Sequence, residues 1–343
     1  MKVLSFVVPA YNSERFLDKV IPSMLVPEVI DRLEVIVVND GSTDSTSEVA
    51  EKYCKAYPGV VRLISQENKG HGGALNTGHA AACGKYIKVI DADDWVVSEN
   101  LPVFVAALEN CESDVVLTHF NTVDISTGEI RKWKSFPKTL GKALTFEEIM
   151  ENERDFFRVL CFHGITYKTE FYRAFGIKLS EHVFYEDFEY ATFPCCFARS
   201  VTPLDLFVYE YRVGDVNQSV SDAAKLKRVG HLETVLNRMA EENRHADILS
   251  DSGKTYITMK TAELLMSYFT TVLLSEPDKR KGRAEAEKML KRFWQAFPKV
   301  AVSVEKKYKV FCLLNRLHVS KGAWESLMRS KLYRTLRGEQ DFS

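Results

Sequence analysis

Residues 86–94 read YIKVIDADD, an apolar run that ends in three carboxylates within four residues. The run Tyr86–Ile90 is short and apolar, as expected for a buried strand. In an open parallel sheet, ligands bind outside the carboxyl ends of the strands. This stretch therefore predicts a sheet whose strand ends carry the chemistry of the protein.

The same alternation of apolar runs and helical patterns extends on both sides of this stretch. We predict further strands at Val3–Val8, Leu33–Val38, Val60–Ser65 and Asp114–Phe120, and helices at Ser13–Leu25, Thr43–Tyr57, Gly73–Ala82 and Leu101–Asn110. Strand–helix alternation with short links gives a parallel sheet that is covered by helices on both faces. The fold class is therefore predicted as α/β with a mostly parallel sheet.

Beyond residue 120 the pattern becomes irregular and then helical. A hairpin is predicted over Val123–Lys134, helices over Phe146–Arg158 and Tyr185–Arg199, and a strand over Leu206–Val213. Apolar residues then recur with a helical period in four segments, which are Ala223–Ala240, Tyr256–Ser275, Ala284–Phe297 and Tyr308–Leu317. We expect an α/β domain at 1–220 and a helical domain at 221–343.

Composition excludes several classes of protein. The 343 residues suit about two domains. Lys and Arg number 46 and Asp and Glu 47, and this balance argues against a nucleic-acid-binding protein.

The seven Cys include no CxxC pair and are expected to be free thiols in a reducing compartment. With no signal peptide and no apolar stretch of 18 residues, we expect a cytoplasmic location.

The acidic residues at the strand ends predict a metal site. By strand alternation Asp91 and Asp93 would share a face, where their repulsion is relieved by a divalent cation such as Mn²⁺ or Mg²⁺. For Asp94, a helix N-cap is an equal alternative. Asp40 follows the second strand and suits donors such as a base N–H or ribose hydroxyls, whereas Asp44 suits a helix cap.

Two further segments carry candidate groups. The glycine-rich run Gly70–Gly78 would let backbone approach a phosphate at a helix N-terminus, with His71 either a diphosphate contact or an ordinary loop residue. Glu186-Asp187 offers a general base for a sugar hydroxyl, or simply acids favoured at a helix start. His163 is either a site residue or a core histidine.

These motifs together resemble family 2 glycosyltransferases, which are inverting enzymes with the Rossmann-like GT-A fold. The resemblance covers about residues 3–220. It rests on the opening strand and loop Val7–Asn12, the nucleotide-binding signature Val37–Asp44, the DxD motif Asp91–Asp94, and the ED motif Glu186-Asp187. Tyr211-Arg212 and the later residues Gln218–Ser221 resemble a Tyr-x-Arg…Ser-x-Ser loop found late in the chain of the family's polysaccharide and teichoic-acid members.

The resemblance implies a role for each matching residue. Asp187 would be the catalytic base, with Glu186 the second candidate, and Asp91 and Asp93 would bind the metal. The nucleotide-sugar set would comprise Pro9, Ala10, Tyr11, Glu14, Asp40, Asn68, Lys69, His71, Asp91, Ala92 and Arg212. Many members carry an arginine where this chain has Leu75, so Lys69, His71 or Arg212 would supply the charge at the diphosphate.

The implied reaction is the transfer of a sugar from a nucleotide sugar, a UDP-sugar by preference, to a hydroxyl of a glycan or lipid-linked acceptor in cell-surface polysaccharide synthesis. Two alternatives stay open at this point: a sugar nucleotidyltransferase and a non-catalytic nucleotide-sugar-binding module. The basic amphipathic segment Lys321–Arg337 predicts either peripheral contact with the inner membrane face or a solvated terminal helix. The C-terminal helices predict core packing or a homo-oligomer contact.

Overall fold

A computed structural model describes residues 1–136, 142–214 and 222–329 of the protein. The chain divides into two compact units. The first comprises Met1–Gln218 with Ile248–Ile257, and the second comprises Ser219–Asp247 with Thr258–Ser343.

Within the described residues, ten strands of the first unit form one sheet. They are β1 Leu4–Ala10, β2 Leu33–Asp40, β3 Val61–Gln66, β4 Tyr86–Val89, β5 Trp95–Val96, β6 Val115–Asp124, β7 Ile130–Trp133, β8 Leu144–Thr145, β9 Ile165–Lys168 and β10 Ser200–Val213. The order across the sheet is β3-β2-β1-β4-β9-β6-β10-β5, with β7 paired to β6 and β8 to β10. The predicted α/β fold is thus confirmed, but the sheet is mixed. The pairs β1–β2, β1–β4, β2–β3 and β6–β10 are parallel, and the other five pairs among these strands are antiparallel.

Helices connect these strands. In the first unit they are α1 Glu14–Met24, α2 Thr46–Ala56, α3 Gly70–Ala81, α4 Leu101–Asn110, α5 Phe146–Glu151, α6 Glu153–Phe156, α7 Thr169–Ala174 and α8 Glu186–Thr192. Those after residue 221 are α9 Asp222–Lys227, α10 Val229–Glu242, α11 Asp251–Thr270, α12 Lys279–Ala296, α13 Pro298–Arg316 and α14 Lys321–Arg329. Every helix in the described part of the chain is too short or too polar to span a lipid bilayer.

The parallel half of the sheet explains the continuous apolar runs of the sequence. Every residue of β1 and β2 is buried, because helices cover both faces of a parallel sheet and leave no polar side. Helix α3 approaches this sheet closely at Gly78, where a Cβ atom would lie 2.2 Å from Cγ1 of Val7. The glycine therefore sets the distance between α3 and β1.

The structure departs from the sequence prediction on the antiparallel side of the sheet. Strand β9, which the sequence analysis did not predict, inserts antiparallel to both β4 and β6. Lys88 of β4 supports it, since its buried Nζ donates to the carbonyls of His163 at 2.8 Å and Ile165 at 3.3 Å. Burial lowers the pKa of Lys88 to about 7. The helix predicted over Tyr185–Arg199 is shorter: α8 spans Glu186–Thr192, and a separate 3₁₀ turn at Cys195–Phe197 follows Pro194.

The close approach at Gly78 yields a stability prediction. Gly78→Ala should lower the free energy of unfolding by about 1–3 kcal/mol, because a methyl group would overpack the stiff, β-branched Val7. Urea unfolding measures the change. Gly230→Ala is the matched control, since that glycine lies in α10 and its Cβ position has no contact within 4 Å among the described residues outside its own stretch of helix. A Gly78→Ala protein as stable as the Gly230→Ala control would contradict the packing argument.

Candidate active site

Asp91, Asp93 and Asp94 lie together in a tight turn that follows β4. Strand β4 ends at Val89, and the N–H of Asp94 donates to the carbonyl of Asp91 at 3.0 Å. One carboxylate oxygen from each of Asp91, Asp93 and Asp94 lies within 4.8 Å of the others. It is this turn that brings the carboxylates together. Asp91 and Asp93 were predicted to share a face by strand alternation, but β4 ends before them.

Strand β10 holds the innermost of these carboxylates. Tyr209 Oη donates to Oδ2 of Asp94 at 2.5 Å, and the N–H of Arg212 donates to Oδ1 at 2.7 Å. The same Tyr209 hydroxyl accepts the N–H of Asp91 at 3.2 Å. Asp94 therefore anchors the turn to β10, and it caps no helix, since β5 follows at Trp95.

Burial and mutual repulsion make the acidic turn costly without a positive charge. Burial, followed by the charges of Asp91 and Asp93, raises the pKa of Asp94 well above its usual value. Burial and the charge of Asp91 also raise the pKa of Asp93, although Arg212 opposes this shift. Arg212 Nη1 lies 3.6 Å from Oδ2 of Asp93. The turn thus has the chemistry of a cation site.

His71 joins this turn to helix α8. Its Nε2 lies 2.9 Å from Oδ1 of Asp91, and its Nδ1 lies 2.5 Å from Oε1 of Glu186. Burial lowers the pKa of His71, but the charges and hydrogen bonds of Asp91 and Glu186 outweigh it, so the pKa lies well above its usual value. A doubly protonated ring donates to both carboxylates, and His71 therefore bridges two acidic motifs.

The glycines around His71 serve this bridge. A Cβ at Gly72 would lie 2.2 Å from the carbonyl oxygen of Ser180 and 3.1 Å from Cγ of Glu186. Gly70 has φ +76°, and a Cβ there would lie 2.8 Å from the N atom of His182. These glycines were predicted to let backbone approach a phosphate. The structure instead places them against the segment that leads into α8.

The segment before α8 is held by polar side chains of α3 and α8. Asn76 exchanges two hydrogen bonds with the backbone of Leu179, at 2.8 and 2.9 Å. Glu189 accepts from the N–H and the hydroxyl of Ser180, at 2.8 and 2.7 Å. Tyr185 then enters α8 with φ +75°, a left-handed conformation that is strained for a bulky residue and is seen at functional sites.

The two acids at the start of α8 differ in their surroundings. Glu186 is buried, and its Oε2 has no hydrogen-bond partner within the described part of the chain. Asp187 is half-buried. Burial, and then the charges of the acidic turn and of Asp187, raise the pKa of Tyr211. Asp187 thus lies within electrostatic reach of the same tyrosine as the acidic turn.

Asp40 lies at the end of β2, as predicted, and organises the loop that precedes α3. Its Oδ1 accepts from Nε2 of Gln66 at 2.7 Å and from the N–H of Lys69 at 2.9 Å. Asn68 donates to the backbone carbonyl of Asp40 at 3.0 Å and packs against Gly41, where a Cβ would lie 2.8 Å from the N atom of Asn68. Asp40, Asn68 and the backbone of Lys69 therefore form one hydrogen-bonded group.

The loops after β1 and β2 are tied together beside this group. Asn12 Oδ1 accepts the N–H of Thr43 at 2.9 Å, and Oε2 of Glu14 accepts the N–H of Ser45 at 2.8 Å. Asp44 accepts the N–H groups of Glu14 and of Thr46, the first residue of α2, from its position one residue before the N-cap Ser45. The predicted pocket residues Pro9 and Ala10 are buried, whereas Tyr11 is 53% exposed.

Several site residues were not predicted, or were predicted in another role. Tyr209 was missed because a tyrosine in a strand is ordinarily a core residue. The ring of His163 stacks on that of Tyr211, with the ring centroids 4.3 Å apart. Burial is the main reason that the pKa of His163 falls to about 4. Ala92 and Leu75 are buried, and Leu75 supplies no charge. The predicted loop Gln218–Ser221 lies outside the described residues.

Comparison with known proteins gives a match to one family model and to several curated relatives. Residues 5–175 match the family model described as Glycosyl transferase family 2. The chain is 26% identical over 218 residues to Glycosyltransferase GlyA of Streptococcus pneumoniae, a match that covers 61% of this chain and 30% of that protein. The chain therefore matches less than a third of the length of this relative.

Solved structures share the fold. The Staphylococcus aureus protein TarS 1-349 in complex with UDP-GlcNAc gives a TM-score of 0.66 at 21% identity and covers 100% of this chain and 93% of that one. A mannosyltransferase, PcManGT from Pyrobaculum calidifontis, in complex with GDP-Man and Mn2+ gives 0.54 at 19% identity, with 98% and 83% covered. At these identities the likeness shows the fold alone.

The His71 bridge yields a prediction about stability. In a double-mutant cycle of His71→Gln and Glu186→Gln, we expect the double variant to lose about 0.5–3 kcal/mol less free energy of unfolding than the two single losses added together. The reason is that either single change leaves the other group without its hydrogen-bonded partner of opposite charge. Urea unfolding of the metal-free protein measures the cycle.

The pH dependence of the same protein gives a second readout of the bridge. Because the pKa of His71 is raised in the folded state, its stabilisation is complete below the unfolded pKa of about 6.5 and is lost as the pH rises through the folded value. The double variant should lack this component. Additive single losses together with an unchanged pH profile in the double variant would contradict the bridge.

Proposed function

Since the chain belongs to glycosyl transferase family 2, we propose that it transfers a sugar from a nucleotide sugar to a hydroxyl acceptor with inversion at the anomeric carbon. The observation that carries the proposal is the bridge that joins the acidic turn at Asp91 to the acids of α8. A metal-binding motif and a candidate base are thereby two parts of one site. Neither a nucleotidyltransferase nor a non-catalytic module is favoured.

The nucleotide would bind beside Asp40. We propose a UDP-sugar donor, in line with the TarS complex with UDP-GlcNAc. Asp40, Asn68 and Glu14 would line the base pocket with Ala10 and Tyr11. The Asn68–Asp40 hydrogen bond and the bond from the N–H of Ser45 to Glu14 hold the loops of this pocket before the nucleotide arrives. Pro9 and Ala92 would contribute as buried supports of the pocket.

A divalent cation, Mn²⁺ or Mg²⁺, fits the acidic turn. Oxygen ligands suit these hard cations. Burial, followed by the charges of neighbouring carboxylates, raises the pKa values of Asp93 and Asp94, and a cation would stabilise the ionised forms against both effects. Both oxygens of Asp94 are engaged by β10, which leaves Asp91 and Asp93 as the proposed ligands. When bound, the ion supplies positive charge that neutralises a leaving diphosphate.

Asp187 is the proposed general base. Glu186 is committed to His71 and is buried, whereas Asp187 is half-buried on the same first turn of α8. The Asp187 carboxylate would take the proton of the acceptor hydroxyl while that oxygen attacks the anomeric carbon and the diphosphate leaves. One direct displacement inverts the configuration.

His71 receives a different role from the diphosphate contact predicted from the sequence. Both of its ring nitrogens are engaged by carboxylates, so we assign it the role of a positioning residue that fixes α8 against the acidic turn. Arg212, which lies beside Asp93, and Lys69 are then the proposed sources of charge at the diphosphate.

The physiological setting is also a proposal. We propose an acceptor in cell-surface glycan synthesis, either a glycan or a lipid-linked molecule, and a cytoplasmic enzyme at the inner membrane face. The predicted membrane segment Lys321–Arg337 is described only as far as Arg329, in α14. A homo-oligomer through the C-terminal helices likewise remains a prediction.

The donor reaction provides the first test of function. We expect the protein to release UDP from a UDP-sugar with Mn²⁺ or Mg²⁺ present, to lose this activity in EDTA, and to regain it when the metal is returned. Asp93→Ala should lose the metal-dependent binding of UDP, because a proposed ligand is gone. A luminescent UDP assay over a panel of UDP-sugars measures release. Full activity of the metal-stripped protein would contradict the proposed role of the turn.

The base assignment has its own test. Asp187→Asn keeps the shape of the side chain and removes its basicity, so kcat should fall by roughly 10²-fold or more while donor binding is kept. Steady-state kinetics together with UDP binding by calorimetry separate the two effects. Glu170→Gln in the first turn of α7 is the matched control and should be neutral. Near-normal kcat in Asp187→Asn would move the base to another carboxylate.

A further inference from the structure

The near-zero net charge of the chain hides a strong local asymmetry. Residues 279–329 carry 14 Lys or Arg and only 4 Asp or Glu, whereas the whole chain carries 46 and 47. The basic excess is therefore concentrated in the segment that forms α12, α13 and α14. Such an excess matters for binding to anionic surfaces, not for the fold.

Helix α13 presents an unusual apolar row to solvent. Val302 is 60% exposed, Val310 48%, Leu313 55% and Leu317, the residue that follows the last turn, 64%. Their spacing of eight, three and four residues places them on one side of the helix. The opposite side is already packed, since Val300, Ala301, Val304, Phe311 and Asn315 are buried. The exposed row is thus not the core-facing side of an amphipathic helix.

Basic side chains lie within the same arc of the helix. Lys306, Lys309 and Arg316 are exposed and alternate with the aliphatic residues. Lys309 also pairs with Glu305 at 2.8 Å, one turn before it. We call the set Val302, Lys306, Lys309, Val310, Leu313, Arg316 and Leu317 the outer face of α13. About 22 Å of helix separate its first and last members.

We propose that the outer face of α13 docks on the surface of an anionic lipid bilayer, with the helix lying in the plane of the interface. Aliphatic side chains would enter the boundary between headgroups and acyl chains. The long Lys and Arg side chains would extend along them to reach lipid phosphates. Interleaved aliphatic and basic residues match both layers of such a surface at once.

The chemistry of the face disfavours other partners. Surfaces that bind single-stranded nucleic acid interleave basic residues with aromatic rings that stack on bases, whereas the apolar members here are all aliphatic. A second copy of the chain, docked by twofold symmetry, would set this face against itself and bring its basic residues together. An anionic bilayer complements both the charge and the apolar row.

Vesicle flotation of the full chain tests the proposal. We compare vesicles of 30% phosphatidylglycerol in phosphatidylcholine with vesicles of phosphatidylcholine alone. The wild type should prefer the anionic vesicles and lose that preference in high salt. Lys306→Gln with Lys309→Gln should weaken binding about 10- to 30-fold, and Leu313→Gln with Leu317→Gln roughly tenfold.

Matched controls separate the face from general surface effects. Val103→Gln changes an aliphatic residue that is 62% exposed in α4, and Lys55→Gln removes an exposed charge from α2. Both should bind vesicles as the wild type does. The proposal is overturned if the wild type shows no anionic preference. It is also overturned if the outer-face variants bind vesicles as tightly as the controls. A truncated chain that lacks residues 330–343 completes the comparison: if only this truncation abolishes binding, the outer face of α13 is not the docking surface.

Discussion

The site depends on one interaction, the histidine that stands between two acids. His71 contacts Asp91 of the acidic turn and Glu186 of α8, residues that are 20 and 115 positions away in the chain. A half-buried carboxylate, Asp91, and a buried one, Glu186, would repel each other, and the cationic ring replaces that repulsion with two charge-assisted hydrogen bonds. Because Glu186 and Asp187 are adjacent, the bridge also determines where the proposed base lies. The proposed metal ligand and the proposed base therefore share one positioning residue.

The surrounding structure keeps this bridge in place by close backbone approach and by saturated hydrogen bonds. Glycines 70 and 72 allow the start of α3 to touch the segment before α8. Asn76 and Glu189 then fix that segment at Leu179 and Ser180. On the other side, Tyr209 and the backbone of β10 hold Asp94, so that the acidic turn cannot relax away from His71. A preorganised site of this kind spends little free energy on ordering when its ligand arrives.

Much of this architecture could be predicted from the sequence, for identifiable reasons. Strands β1, β2 and β4 are mainly apolar runs. Asp40, the last residue of β2, and Asp91, two residues after β4, lie where strand ends should place them. Strand β9 was missed because four residues, Ile165–Lys168, carry too little periodic signal, and its antiparallel insertion depends on contacts with β4 and β6. The partners of His71 could not be predicted, because a contact over 115 residues is decided by tertiary packing and leaves no local pattern.

The most direct test of the central claim is a measurement of Mn²⁺ binding in the presence of UDP, with electron paramagnetic resonance as the detection method. If the acidic turn and α8 are the metal half and the base half of one site, the wild type should bind Mn²⁺, Asp93→Asn should lose it, and Asp187→Asn should keep it. Equal Mn²⁺ binding by the wild type and Asp93→Asn, or loss of Mn²⁺ in Asp187→Asn alone, would contradict the account.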